Sequence, residues 1–145
     1  IRLGREGYTR IHQNSQDVAL YLSSSIEQMG PFALISRGDD IPVFAFRLKD
    51  DFDGCWDVFQ LSERMRHRGW QIPAYTFPKN REDVAALRIV VREGLSRDLA
   101  DELLDSIKHS IASLEADAAA ANAPAPPEDA DAAAAREQKK KFTKC

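Results

Sequence analysis

The stretch from Arg68 to Arg92 constrains the chain most. It runs Arg68-Gly69-Trp70-Gln71-Ile72-Pro73-Ala74-Tyr75-Thr76-Phe77-Pro78, then a polar link from Lys79 to Asp83, then Val84-Ala85-Ala86-Leu87-Arg88-Ile89-Val90-Val91-Arg92. Glycine after a basic run ends a helix. A short strand, a proline-bounded loop and a second strand follow. From Ala86 the side chains alternate with period two: Leu87, Ile89 and Val91 share one face, Arg88, Val90 and Arg92 the other. Arg88 is the informative member. A cation within an apolar strand is costly to bury alone, so a carboxylate is expected beside it, from the fold or from an acidic ligand.

Upstream, Tyr8, Ile11, Val18, Leu22, Ile26 and Met29 recur at helical spacing, which predicts a long helix from about Arg5 that Gly30-Pro31 terminates. Its apolar stripe needs a surface to cover. Phe32 to Ser36 and Pro42 to Leu48 read as two strands, the second opened by a proline that need not donate to a ladder. Between them Arg37-Gly38-Asp39-Asp40 has the composition of a turn; with no secretory context the Arg-Gly-Asp triplet carries no adhesive meaning. Asp57 with Gln60 three residues on is a capping box. It opens a helix whose buried stripe is Val58, Leu61 and Met65, and whose last turn carries Arg64, Arg66, His67 and Arg68 against the helix dipole. Ser96 is the N-cap of a last helix, with Leu99, Leu103, Ile107, Ile111 and Leu114 on one face and its end near Glu115. Helix, two strands, helix, two strands, helix gives an α+β class, with helices on one side of a small, mostly antiparallel sheet. The expected organisation is a long helix over 1–30, a small α+β domain over 31–115 and a disordered tail over 116–145. Large apolar residues vanish from that tail in favour of Ala, Pro, Asp and Glu.

The 145 residues carry a net charge of -3, which gives no case for nucleic acid. Cys55 and Cys145 are too far apart for a CxxC motif, and two cysteines without a signal peptide fit a reducing compartment, hence a cytoplasmic expectation. No apolar run approaches the roughly 20 residues of a membrane span. His12, His67 and His109 lack ligand spacing, and there is no P-loop, GxGxxG or HExxH. Nothing builds a complete active site, so the chain is not expected to act as an enzyme alone. A first residue of Ile rather than Met adds the expectation of a fragment or a processed product.

Several blocks resemble one family in that family's order: Ile1-Arg2-Leu3-Gly4-Arg5-Glu6-Gly7-Tyr8, Gly30-Pro31-Phe32, Ile41-Pro42-Val43, Leu61-Ser62-Glu63-Arg64-Met65-Arg66, Arg68 to Tyr75, Leu87 to Arg92, and Asp98 to Leu104. They are similar to the C-terminal portion of glutamate decarboxylases, and the likeness covers Ile1 to about Glu115. It implies the small domain of an aminotransferase-like, pyridoxal-phosphate-dependent fold, preceded by the helix joining it to the large domain. It further implies conversion of L-glutamate to 4-aminobutyrate and CO2, in a homo-oligomer, with pyridoxal 5'-phosphate held mainly by a region upstream of Ile1, where the family's cofactor lysine lies. The arginine matching Arg88 binds a substrate carboxylate in the family. Two departures stand out. No histidine follows His109, so the pH-gating histidine of bacterial members has no counterpart. Lys139-Lys140-Lys141-Phe142 lacks the tryptophan of calmodulin-binding plant tails, which leaves calmodulin a poor fit. The rival reading is a stand-alone, non-catalytic α+β module that binds an acidic metabolite or a protein partner. Exposure of Tyr8, Ile11 and Leu22 would favour the fragment over the module.

Overall fold

The structure is a computed structural model and describes residues 4–121. Seven elements follow in order: α1 (Gly4–Gln28), β1 (Phe32–Ser36), β2 (Val43–Leu48), α2 (Val58–His67), β3 (Ala74–Thr76), β4 (Ala85–Val90) and α3 (Arg97–Ala121). The four strands form one antiparallel sheet in the order β1-β2-β4-β3. The helix-rich, one-sided arrangement expected from the sequence is the one observed.

Alternation along the strands divides the sheet into two faces. Phe32, Phe44, Phe46, Leu87 and Ile89 are buried on one of them, against Val18, Leu22 and Ile26 of α1, Leu61 and Met65 of α2, and Leu103 and Ile107 of α3. The aromatic rings meet edge-on, with Phe32 and Phe46 centroids 5.1 Å apart, an arrangement the ring quadrupole favours. The core continues into the loop after β2, where Phe52 meets Trp56 at 4.7 Å.

Local chemistry sets where the elements stop. Asp57 accepts from the Gln60 N–H at 2.8 Å while the Gln60 side chain accepts from the Asp57 N–H at 2.9 Å, completing the capping box. At the other end of α2 the Gly69 N–H donates to Arg66 O and the Trp70 N–H to Met65 O, both at 3.0 Å. That pairing requires a left-handed residue between them, which Gly69 supplies at φ +87°. The Arg37-Gly38-Asp39 turn is clamped onto α1 by the Gln16 amide, which donates to the carbonyls of Gly38 and Asp39. Gly38 is buried at φ +85°, and a Cβ there would lie 3.4 Å from Val43 O and 3.5 Å from Ala19 Cβ. The triplet is therefore a structural turn facing its own helix. In β1 a bulge falls between Leu34 and Ser36, and the Ser36 hydroxyl accepts the Ala45 N–H at 3.0 Å, replacing the ladder partner that the bulge displaces.

Three expectations need correction. Leu22 is fully buried and Ile11 half-buried, while Tyr8 is 56% exposed. α1 is thus a helix of two halves: all its buried residues lie from Ser15 onward, and the half before them meets solvent. Leu99 is exposed. It lies on the side of α3 that carries Ser106 and Ser110, whose hydrogen bonds run to Trp70 after α2 and to Met65 of α2, with Arg64 of α2 on Ser113 further on. Finally, α3 continues to Ala121, six residues past the expected end at Glu115. Alanine is the strongest helix former, and Arg64 on α2 holds Asp117 in an ion pair. The rest of the expected tail, with its lysine cluster and Cys145, lies outside the described residues.

Candidate functional site on the open sheet face

The helices cover one side of the sheet, and the other side is open. Register fixes what stands there. Ala45 pairs with Arg88 and Val43 with Val90. Ala86 pairs with Tyr75 on the far side of β4, and Ala33 with Arg47 on β1–β2. Cross-strand partners point to the same face, so this face carries Ala45 and Ala86 on its two inner strands and Ala33 at one edge, together with Arg47, Tyr75, Arg88 and Val90. Of these alanines Ala86 is fully buried and Ala45 nearly so.

Along β4 the expected alternation holds: Leu87, Ile89 and Val91 are buried, and Arg88, Val90 and Arg92 are exposed. The premise of a buried cation does not hold for Arg88. It is exposed, and among the described residues it forms no ion pair. What it meets is an aromatic ring: Cζ lies 5.8 Å from the centroid of Tyr75, within the range of a cation–π contact. Tyr75 is itself stacked on Phe77, at 5.9 Å and 30° between planes. The Arg88 N–H donates to Pro73 O at 3.2 Å, which ties this point of β4 to the segment before β3. Beside it is a hollow of about 450 Å³ whose walls include Trp70, Ile72, Arg88, Val90, Arg92 and Leu103. Arg88 and Arg92 both line this hollow, and among the described residues no acidic residue does. Such a place suits a carboxylate, which a guanidinium grips through two parallel hydrogen bonds.

The third arginine of this face is engaged. Arg47 holds Asp50 through both terminal nitrogens, one at 2.9 Å. The hydrogen bond from Arg47, and then its charge, keep the Asp50 carboxyl below the usual carboxylate range. Arg47 therefore secures the loop after β2, and Arg88, on the middle of the face, forms no ion pair among the described residues.

Two features of this site had no sequence signal strong enough to find them. Tyr75 is thirteen residues from Arg88, and only the β3–β4 register brings the ring beneath the guanidinium. The division of labour between Arg47 and Arg88 depends on Asp50 lying within reach of one and not the other. His12, His67 and His109 are exposed on separate helices, and among the described residues no group of His, Cys, Asp or Glu is placed to hold a metal ion. No helix among them is long and apolar enough to cross a membrane.

Comparison with known proteins defines the class of the domain first. It superposes on a solved tryptophan decarboxylase from Catharanthus roseus with a TM-score of 0.66, over 77% of this chain and 23% of that one; at 15% identity this likeness concerns the fold alone. It superposes on a solved glutamate decarboxylase from Lactobacillus brevis with a TM-score of 0.75 and 37% identity, over 79% of this chain and 26% of that one. The fold is the small α+β domain of the type I pyridoxal-phosphate decarboxylases. In sequence the chain is 49% identical over 112 residues to the glutamate decarboxylase of Aliivibrio fischeri, covering 77% of this chain and 24% of that protein. The chain belongs with the glutamate decarboxylases and corresponds to their C-terminal portion. No family model matches it. It spans about a quarter of the length of the curated relatives it matches, 24% and 25% for the first two.

Proposed function

We propose that this chain is the C-terminal portion of a pyridoxal-phosphate-dependent glutamate decarboxylase, in which Arg88 binds a carboxylate of L-glutamate. The observation that carries the reading is the exposed guanidinium of Arg88 at the middle of a sheet face that no helix of the domain covers, with no ion pair among the described residues. Its exposure departs from the buried cation expected from the sequence, and the lack of an ion pair among the described residues favours the outside carboxylate of the two partners considered.

The described residues do not themselves fit the cofactor. Lys49, Lys79 and Lys108 are all exposed, and Lys108 is bound to Asp105 at 3.3 Å, so none of them is a sequestered amine of the kind that a Schiff base needs. Pyridoxal phosphate, when bound by the remainder of the protein, supplies the electron sink for the bond that breaks. The role proposed for this chain is orientation. Arg88 is planar, permanently charged and two-pronged, so it fixes both the position and the plane of a carboxylate. Holding one end of the substrate in this way sets the direction of the Cα–carboxylate bond, and geometry of that kind is itself a rate factor. The proposed product pair is 4-aminobutyrate and CO2, and the working form is a cytoplasmic homo-oligomer.

The test uses the full-length protein that carries this chain. Arg88→Lys keeps the charge and loses the fork; Arg88→Ala loses both. The expected order of kcat/KM for glutamate is wild type, then Lys, then Ala, with an unchanged melting temperature and unchanged cofactor absorbance. A normal kcat/KM in the Ala variant rejects the role. The 145-residue chain alone is expected to release no CO2 from glutamate with added pyridoxal phosphate.

A further inference from the structure

We infer that Tyr75 is a positioning residue: its ring holds the Arg88 guanidinium in the carboxylate-binding pose. This inference rests on the proposed role of Arg88 and adds a residue to it. Three observations converge. Arg88 Cζ stands 5.8 Å from the Tyr75 centroid. Tyr75 pairs with Ala86, so Arg88, two residues further along β4, is its diagonal neighbour on the same face, the distance at which an aromatic side chain still reaches across strands. The ring is backed by Phe77 at 5.9 Å and is half-buried, whereas Arg88 is exposed.

An exposed arginine with Ala45 and Ala86 beside it has much rotamer freedom to lose when it grips a ligand, and that loss subtracts from affinity. A ring face beneath the guanidinium removes part of the freedom in advance. It does so without a hydrogen-bond acceptor: a cation–π contact draws on the charge of the guanidinium and claims none of its N–H groups through an acidic partner. An acidic side chain in the same place would have occupied some of them. The arrangement therefore steadies the cation while keeping it available, which the Arg47–Asp50 pair on the same sheet face does not.

The experiment measures glutarate binding to the full-length protein by calorimetry, together with kcat and KM for glutamate. Tyr75→Phe keeps the ring and is expected to bind glutarate as wild type does. Tyr75→Leu is expected to weaken binding about two- to fivefold, the span of an exposed cation–π contact, with the change in KM rather than kcat. Progressively fluorinated phenylalanines at position 75 keep the shape and drain the ring face of electron density, so affinity is expected to fall stepwise with fluorination at constant melting temperature. In an Arg88→Ala background the effect of Tyr75→Leu is expected to vanish. If Arg88→Ala leaves glutarate binding intact, the carboxylate role itself fails. If Arg88→Ala weakens binding but fluorination has no effect, or Tyr75→Leu costs as much in the Arg88→Ala background, the positioning role of Tyr75 alone is overturned.

Discussion

The two faces of the four-stranded sheet are built from the same strands and differ in what they spend side chains on. On the covered face Phe32, Phe44, Phe46, Leu87 and Ile89 interlock with three helices and leave almost no exposed surface. On the open face the central positions are alanines, and the large groups are arginines and a tyrosine whose polar ends reach solvent. One face is determined by packing and the other by chemistry. The lesson is that stability and ligand recognition are separable here, residue by residue, because successive strand positions point in opposite directions.

Substitutions on the two faces should therefore fail in different ways. The largest effect belongs to the covered face. Phe46→Ala removes a fully buried ring and should destabilise the domain by about 3–5 kcal/mol, read as a shift in the urea or thermal unfolding midpoint. A small shift would mean that the aromatic cluster is loosely packed and would undo the contrast. The next effect belongs to the open face. Arg88→Ala should lower kcat/KM of the full-length protein by roughly ten- to a hundredfold, the worth of about 1.5–3 kcal/mol for hydrogen bonds to a charged group, with stability within about 0.5 kcal/mol of wild type. A large fall in melting temperature with near-normal kcat/KM would make Arg88 structural and merge the two faces into one.

Smaller changes sharpen the division. Asp57→Ala removes the reciprocal cap of α2, a helix of the covered side, and should cost about 1 kcal/mol in unfolding free energy with no change in substrate KM. The smallest effect concerns the engaged arginine of the open face. Because Asp50 titrates below its ordinary range in the fold, its pairing with Arg47 stabilises above the ordinary carboxylate pKa and is lost as pH falls through the depressed value. Wild type should thus exceed Asp50→Asn in thermal midpoint near neutrality, and the two curves should converge in strong acid. A gap that persists at low pH would mean that Arg47 and Asp50 are joined by packing rather than charge.

Period-two alternation in Ala86 to Arg92 determined β4 and its two sides, because a slip of one residue would move every apolar side chain to the other face. Asp57 with Gln60, and Gly69 after a basic run, determined both ends of α2, because those residues satisfy local backbone groups within a few positions of themselves. The family likeness of the blocks between Ile1 and Leu104 was legible for the same reason: contiguous residues carry it. Tertiary structure decided the rest. Leu22 and Tyr8 lie on one helical stripe, yet only the part of α1 that reaches the sheet is buried. Leu99 fits the periodicity of α3 but is exposed. Ala116 to Ala121 have a composition that suits a free tail, and Arg64, more than fifty residues away, holds Asp117 beside α2. Arg88 looked like a buried cation in need of a carboxylate, from the fold or from an acidic ligand; it is exposed beside a tyrosine from β3, since burial and cross-strand register depend on what lies above a strand and beside it, which no single segment encodes.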